Sequence, residues 1–175
     1  IEEVLSTGFR AGADGAFTTR LEKYFCSIYN VPYSVAFNSG TSTLHAILLA
    51  MGCGPGDEVL TPALTPLMCG LAPHYTGATP VFVEPRIETA NINPDLIEAA
   101  ITPRTKAIIP VHLYGQSCDM DKINKIAKKY NLKVIHDSAD TLGATLYNKK
   151  MGYFSDITIT SFYFFIMFLI DSLFR

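Results

Sequence analysis

The sequence predicts an α/β domain: a mostly parallel sheet covered by helices on both faces. Two observations carry this reading. Short apolar segments bounded by turn residues or charges, most of them rich in Val and Ile, recur at Tyr33–Phe37, Glu58–Pro62, Thr79–Glu84, Lys106–Val111, Lys133–Asp137 and Ile157–Phe162. They read as strands, several of them buried on both faces. Segments of helical period separate them, and strands alternating with helices build parallel βαβ units. At 175 residues, 49% of them hydrophobic, the chain is long and apolar enough for one sizeable core.

Taken in order, the stretch up to Asn30 reads as a capping arm with an amphipathic helix near Thr18–Tyr29. "NSGTST" (Asn38 to Thr43) lies between the first strand candidate and an apolar run, Leu44 to Met51, that continues as a helix. "GCGPGD" at Gly52–Asp57 follows that helix and precedes a strand, so it is a helix stop and turn. A dinucleotide fingerprint needs the order strand, glycines, helix, which makes NAD a poor fit. In "NPDLIEAAIT", Asn93 caps, Pro94 suits the first helical position, and Leu96/Ala100 with Ile97/Ile101 form one apolar face. In "DMDKINKIAKKYN", Asp119 caps a helix whose Ile123, Ile126, Ala127 and Tyr130 share a face. The nine-residue apolar run Phe162 to Ile170 is about half the ~20 residues of a membrane helix, and reads as a strand running on.

Composition excludes several classes. A net charge of −2 with scattered basic residues gives no electrostatic footprint for nucleic acid. Cys26, Cys53, Cys69 and Cys118 lie far apart, and the four histidines are equally dispersed, so neither set has zinc-site spacing. A reduced, cytoplasmic protein is the plainest reading, with no metal and no membrane partner. Ile1-Glu2-Glu3 is acidic where a signal peptide is basic, and the absence of an initial methionine suggests that this is not a natural start.

Parallel α/β sheets bind ligands beyond the carboxyl ends of their strands. "NSGTST" stands at one such end and opens a helix, whose free N–H groups and dipole suit an anion. Gly40 permits close approach of a phosphate. The alternative is that Ser39 or Thr41 merely caps the helix. A second strand ends in "VIHDSAD", and a carboxylate leaving a buried strand needs a partner. Asp137 pairs with a lysine, caps the next turn, or serves a ligand. "VHLYG" brings His112 and Tyr114 to the same edge, and "ITITSFYF" offers Ser161.

In sequence order these pieces form a specific pattern. "NSGTSTLHAILLAMGCGPGDEVLTPALT", "GATPVFVE", "AAITPRTKAIIPVHLYGQSCDMDKINKIAKKYNLKVIHDSAD" and "GYFSDITITSF" together closely resemble the DegT–DnrJ–StrS family of sugar aminotransferases, over Gly8 to Phe162. The resemblance implies a fold type I, aspartate-aminotransferase-like large domain that binds pyridoxal 5'-phosphate or pyridoxamine 5'-phosphate (PLP, PMP). It further implies that Gly40, Thr41, Ser42 and Ser161 hold the cofactor phosphate. By the same resemblance Asp137 faces the pyridine nitrogen, Ala139 lies against the ring, and Asp140 stands near the phenolic oxygen or the substrate amine.

The chain also departs from the family. Thr65-Pro66 stands where the family places an aromatic residue over the ring, and His136 replaces the acidic residue usual before the aspartate. Five residues after Ser161, the family's Schiff-base lysine is replaced by Ile166, and no lysine follows Lys150. The expected organisation is an arm and helix (1–30), an incomplete PLP-binding large domain (31–162) truncated before the small domain, and an atypical apolar tail (163–175). The resulting reading is an N-terminal fragment of an aminotransferase acting on a nucleotide-linked keto-sugar, as in polysaccharide or antibiotic sugar biosynthesis. Glutamate is the implied amino donor and a homodimer the implied full-length state. Two alternatives stand beside it: a lysine-free sugar dehydratase of the same family, and a non-catalytic binding domain that keeps the fold.

Overall fold

The structure, a computed structural model, describes residues 16–162 together with Glu2 and Ser6, and divides into two compact units, Ile1–Asn38 and Ser39–Arg175. In the first unit α1 spans Ala16–Tyr29 and is pinned along one face by stacking of Phe25 on Tyr29, with centroids 5.7 Å apart. Asn30 ends it with φ 53°, a left-handed turn that asparagine tolerates. The expected strand Tyr33–Phe37 does not form. Its backbone pairs with no strand among the described residues, and Tyr33 and Val35 are 85% and 67% exposed. An apolar alternation makes a segment fit for a pleat, but a ladder also needs a neighbour's N–H and C=O groups. Here the Ala36 N–H donates to Glu22 Oε1 instead, at 2.9 Å.

The second unit is built on a five-stranded, all-parallel sheet of order β2-β1-β3-β4-β7, with β1 Glu58–Pro62, β2 Thr79–Val83, β3 Thr105–Ile108, β4 Lys133–Asp137 and β7 Ile157–Ile159. A two-residue hairpin pair, β5 Thr145–Leu146 and β6 Lys149–Lys150, stands outside it. Every residue of β1 is buried, Glu58 and Thr61 included, as expected of an inner strand covered on both faces. β2 lies at the sheet edge, where Pro80 can sit in a strand despite its missing N–H.

Successive side chains point to opposite faces of the sheet. Val59, Ala107 and Ile135 share a core with Leu44 and Leu48 of α2 (Gly40–Ala50) and with Cys69 and Ala72 of α3 (Met68–Thr76). Leu60, Ile108 and Val134 pack on the other face with Ile97 of α4 (Pro94–Ala100) and with Ile123 and Ala127 of α5 (Met120–Tyr130).

The predicted caps are present. Asn93 Oδ1 accepts from the Asp95 N–H at 3.1 Å, and Asp119 Oδ1 from the Lys122 N–H at 3.2 Å. One detail differs from the expectation: Leu96 is 43% exposed, and the buried face of α4 centres on Ile97. The helix is only seven residues long, and Ile101 already has extended backbone, so the stripe does not continue along a full helical face. At the amino end of the sheet, buried Glu58 accepts from Thr102 Oγ1 at 2.5 Å and pairs with Arg104, closing the edge opposite the strand ends considered next.

Candidate functional site

Three strand ends are stitched together around Asp137. The Asp137 N–H donates to Pro110 O at 3.0 Å, the His112 N–H to Asp137 O at 3.1 Å, and the Ser138 N–H to Ile159 O at 2.9 Å. Asp137 lies two residues beyond Ile135, so its side chain emerges on the face covered by α2 and α3. There Oδ2 accepts from Cys69 Sγ at 3.4 Å, while Oδ1 accepts from the Ala139 N–H at 3.1 Å. Of the expected roles, capping the following turn is observed. No lysine or arginine among the described residues pairs with this carboxylate. Burial therefore pushes its pKa above the usual carboxylate range, against the donors at Ala139 and Cys69.

The start of α2 lies at the same edge. A Cβ placed on Gly40 would come 3.6 Å from Met68 Sδ, an ordinary contact, so packing within the protein does not require glycine there. Met68 is the first residue of α3 and follows the carboxyl end of β1; its neighbour Cys69 touches Asp137. The opening turn of α3 thus stands between Gly40 and Asp137. Ser39 is the cap of α2: its Oγ accepts from the Ser42 N–H at 3.2 Å and lies 2.9 Å from Ser42 Oγ. Thr43 Oγ1 donates to Ser39 O at 2.9 Å. The cap reading of this hexapeptide is therefore correct for Ser39. It occupies Ser42 N–H only, and the first N–H groups of a helix have no intrahelical partner. Thr41 and Ser42 stay partly exposed at that end.

Ala139 and Asp140, both partly exposed, begin the short turn after β4. Asp140 Oδ2 accepts from the Tyr114 N–H at 3.4 Å, where Tyr114 has φ 55°. Ser161 is two residues past Ile159, which pairs with Asp137, so β7 delivers it to the same edge. Ile166 lies outside the described residues. Thr65 and Pro66 fall in the segment leading into α3, and Pro66 O accepts from the Cys69 N–H at 3.0 Å.

Three features escaped sequence reasoning. Buried Asn91 holds the Leu113–Gly115 turn from both sides, accepting from the Leu113 N–H at 3.0 Å and donating to Gln116 O at 2.9 Å. Cys69 reads only as a small core residue until its contact is seen. Behind Asp137, on the opposite face, the buried rings of His112 and His136 meet edge to face with centroids 4.4 Å apart. His112 Nδ1 accepts from the Cys118 N–H at 2.9 Å, and His136 Nε2 lies 2.8 Å from Met120 Sδ. Burial, with His136 adding to it, lowers the His112 pKa to about 3, so the ring is neutral. It is a structural hydrogen-bonder, as its type and place suggest.

Two more hydroxyls carry information. Thr61 Oγ1 and Ser138 Oγ are buried without a hydrogen-bond partner. Thr61 lies two residues past Val59 and faces the α2/α3 side. Buried polar atoms without a partner at the carboxyl ends of β1 and β4 mark an edge where bound groups would complete the hydrogen bonding. Among the described residues no cluster of three or more His, Cys, Asp or Glu is placed to hold a metal, and no helix is long and apolar enough to cross a membrane. All four cysteines are free thiols.

Comparison with known proteins bears on this edge. The model of the DegT/DnrJ/EryC1/StrS aminotransferase family matches residues 1–165. The chain belongs to this family. It is 48% identical over 149 residues to the GDP-perosamine synthase of Caulobacter vibrioides, covering 85% of this chain and 40% of that protein. It is 50% identical over 141 residues to the dTDP-3-amino-3,6-dideoxy-alpha-D-galactopyranose transaminase of Aneurinibacillus thermoaerophilus, covering 81% of this chain and 39% of that one. The crystal structure of NtdA from Bacillus subtilis with bound cofactor PMP superposes with a TM-score of 0.76 at 41% identity, covering 81% of this chain and 32% of NtdA. The chain therefore spans about two fifths of the length of the curated relatives it matches. Within that span its α/β architecture is that of an aminotransferase large domain.

Proposed function

We propose that this chain is the cofactor-binding part of a PLP-dependent aminotransferase whose whole protein transfers an amino group to a nucleotide-linked keto-sugar. The observation that carries the reading is Asp137: a carboxylate 3% exposed, at the carboxyl end of an inner strand, with two neutral donors and no cation among the described residues. A buried carboxylate left so is costly unless a protonated partner reaches it. The pyridine nitrogen of PLP or PMP is such a partner. When bound, the cofactor supplies an electron sink for proton removal beside the transferred nitrogen.

The chain's own residues divide the work. Asp137 holds the proton on the ring nitrogen. The start of α2, with Gly40, Thr41 and Ser42, takes the phosphate through backbone N–H groups and hydroxyls, and Ser161 adds to it from β7. Ala139 is small enough to lie under the ring, and Asp140 stands where it can orient the phenolic oxygen or the incoming amine.

The choice of a sugar nucleotide rests on the names of the relatives, glutamate as donor and a homodimeric whole protein rest on the family resemblance, and a cytoplasmic location rests on the dispersed free cysteines. Ile166 can neither hold the cofactor covalently nor move a proton, which disfavours the lysine-free dehydratase and fits a non-catalytic domain that keeps the fold. Calorimetric titration with PMP tests the site. The unmodified chain binds, Asp137→Ala weakens binding, and Thr19→Ala on exposed α1 leaves it unchanged. Equal affinities for all three proteins would remove Asp137 from the site.

A further inference from the structure

Asp137 is held by an unusual donor. Its Oδ1 takes a backbone N–H, but Oδ2 takes the Cys69 thiol at 3.4 Å, from a residue 68 positions away in sequence and wholly buried. Burial and the Asp137 charge push the Cys69 pKa far above the ordinary thiol range, so the sulfur keeps its proton and acts as a donor. A thiol is a weaker donor than a hydroxyl. It can therefore fix the direction of a carboxylate while withdrawing little of its basicity.

We propose that Cys69 is a positioning residue: its thiol orients the Asp137 carboxylate and leaves it basic enough to hold a proton on a ring nitrogen. The proposal rests on the cofactor reading given above. The competing role is plain packing, because Cys69 also touches the apolar core shared with Leu48 and Ala72. Packing alone would not couple the residue at 69 to the titration of Asp137.

The decisive experiment follows the Asp137 carboxyl by ¹³C NMR in the whole chain, its signal assigned by loss in Asp137→Asn. Titrations compare the unmodified chain with Cys69→Ser and Cys69→Ala, alongside calorimetry with PMP. The stronger hydroxyl donor of Cys69→Ser lowers the Asp137 midpoint, and loss of the donor in Cys69→Ala raises it. PMP affinity falls by about two- to tenfold in both, the range of one hydrogen bond. Should Cys69→Ala fail to fold, the nearly isosteric Cys69→Ser carries the test. Unchanged midpoints, or shifts of the reverse sign, with PMP binding by the unmodified chain intact, would overturn the role of Cys69 alone. Failure of the unmodified chain to bind PMP would overturn the cofactor reading and this proposal with it.

Discussion

Acid should destabilise this fold through His112, and the size of the effect follows from its surroundings. The imidazole is fully buried, accepts one backbone hydrogen bond at Nδ1, and leaves Nε2 without a partner against the ring of His136. Its pKa drops from 6.5 to about 3 on folding. A lowered folded-state pKa means that the unfolded chain binds the proton more tightly. The contribution is therefore complete above about pH 6.5 and is lost as the pH falls toward about 3. Between pH 7 and pH 5 the loss is about 2 kcal/mol, of a full difference of about 5 kcal/mol. Asp137 acts in the opposite sense, because its raised pKa makes protonation favour the folded state, so a single pH series mixes the two. The assay is guanidinium denaturation at pH 7 and pH 5 of the unmodified chain and of His112→Asn, whose amide oxygen can still accept from Cys118. Asp137 titrates in both proteins, and the difference isolates the histidine. If His112→Asn lost as much stability between the two pH values as the unmodified chain, the neutral, desolvated state assigned to His112 would be wrong.

Three further outcomes are expected. Leu48→Ala removes a fully buried side chain from the α2/α3 core and should cost about 2–5 kcal/mol in the same denaturation assay. Leu49, Leu64, Leu67 and Phe82 are all at least 47% exposed, and apolar surface of this kind drives association, so light scattering at micromolar concentration should give a dimer or larger species rather than a sharp monomer peak. The chain should not transaminate a keto-sugar nucleotide, and borohydride reduction with PLP followed by peptide mapping should label no single lysine in it but should label position 166 in Ile166→Lys. A specific label with turnover in the unmodified chain would show that the register from Ser161 is misplaced.

What could be read from the sequence was mostly local. The caps at Asn93 and Asp119 are decided by residues two or three positions apart, and both formed as expected. β1 and β4 declared themselves as short segments centred on Val-Leu and Val-Ile and bounded by charges or turn residues, apolar at the centre because both faces of the sheet are covered. The segment Tyr33–Phe37 has equal strand character by pattern, yet no ladder partner reaches it among the described residues, and pairing is a nonlocal property. For the same reason the motifs around Asp137, Asp140 and Ser161 pointed to one edge of the sheet, whereas the Cys69 contact and the Asn91 brace were invisible until the chain was folded. "NSGTST" was ambiguous between a cap and an anion site, and the structure assigns the capping role to Ser39 without using up the helix start.

The most direct test of the account is the protonation of the cofactor nitrogen. PMP labelled with ¹⁵N in the pyridine ring, bound to the unmodified chain and followed by NMR across pH 6 to about 9, should show a protonated nitrogen throughout, because ionised Asp137 stabilises the positive ring by at least about one pKa unit. Asp137→Asn should let that proton go at a lower pH. A bound ring nitrogen that is unprotonated at neutral pH, or one whose titration is the same in Asp137→Asn, would contradict the claim that Asp137 faces it.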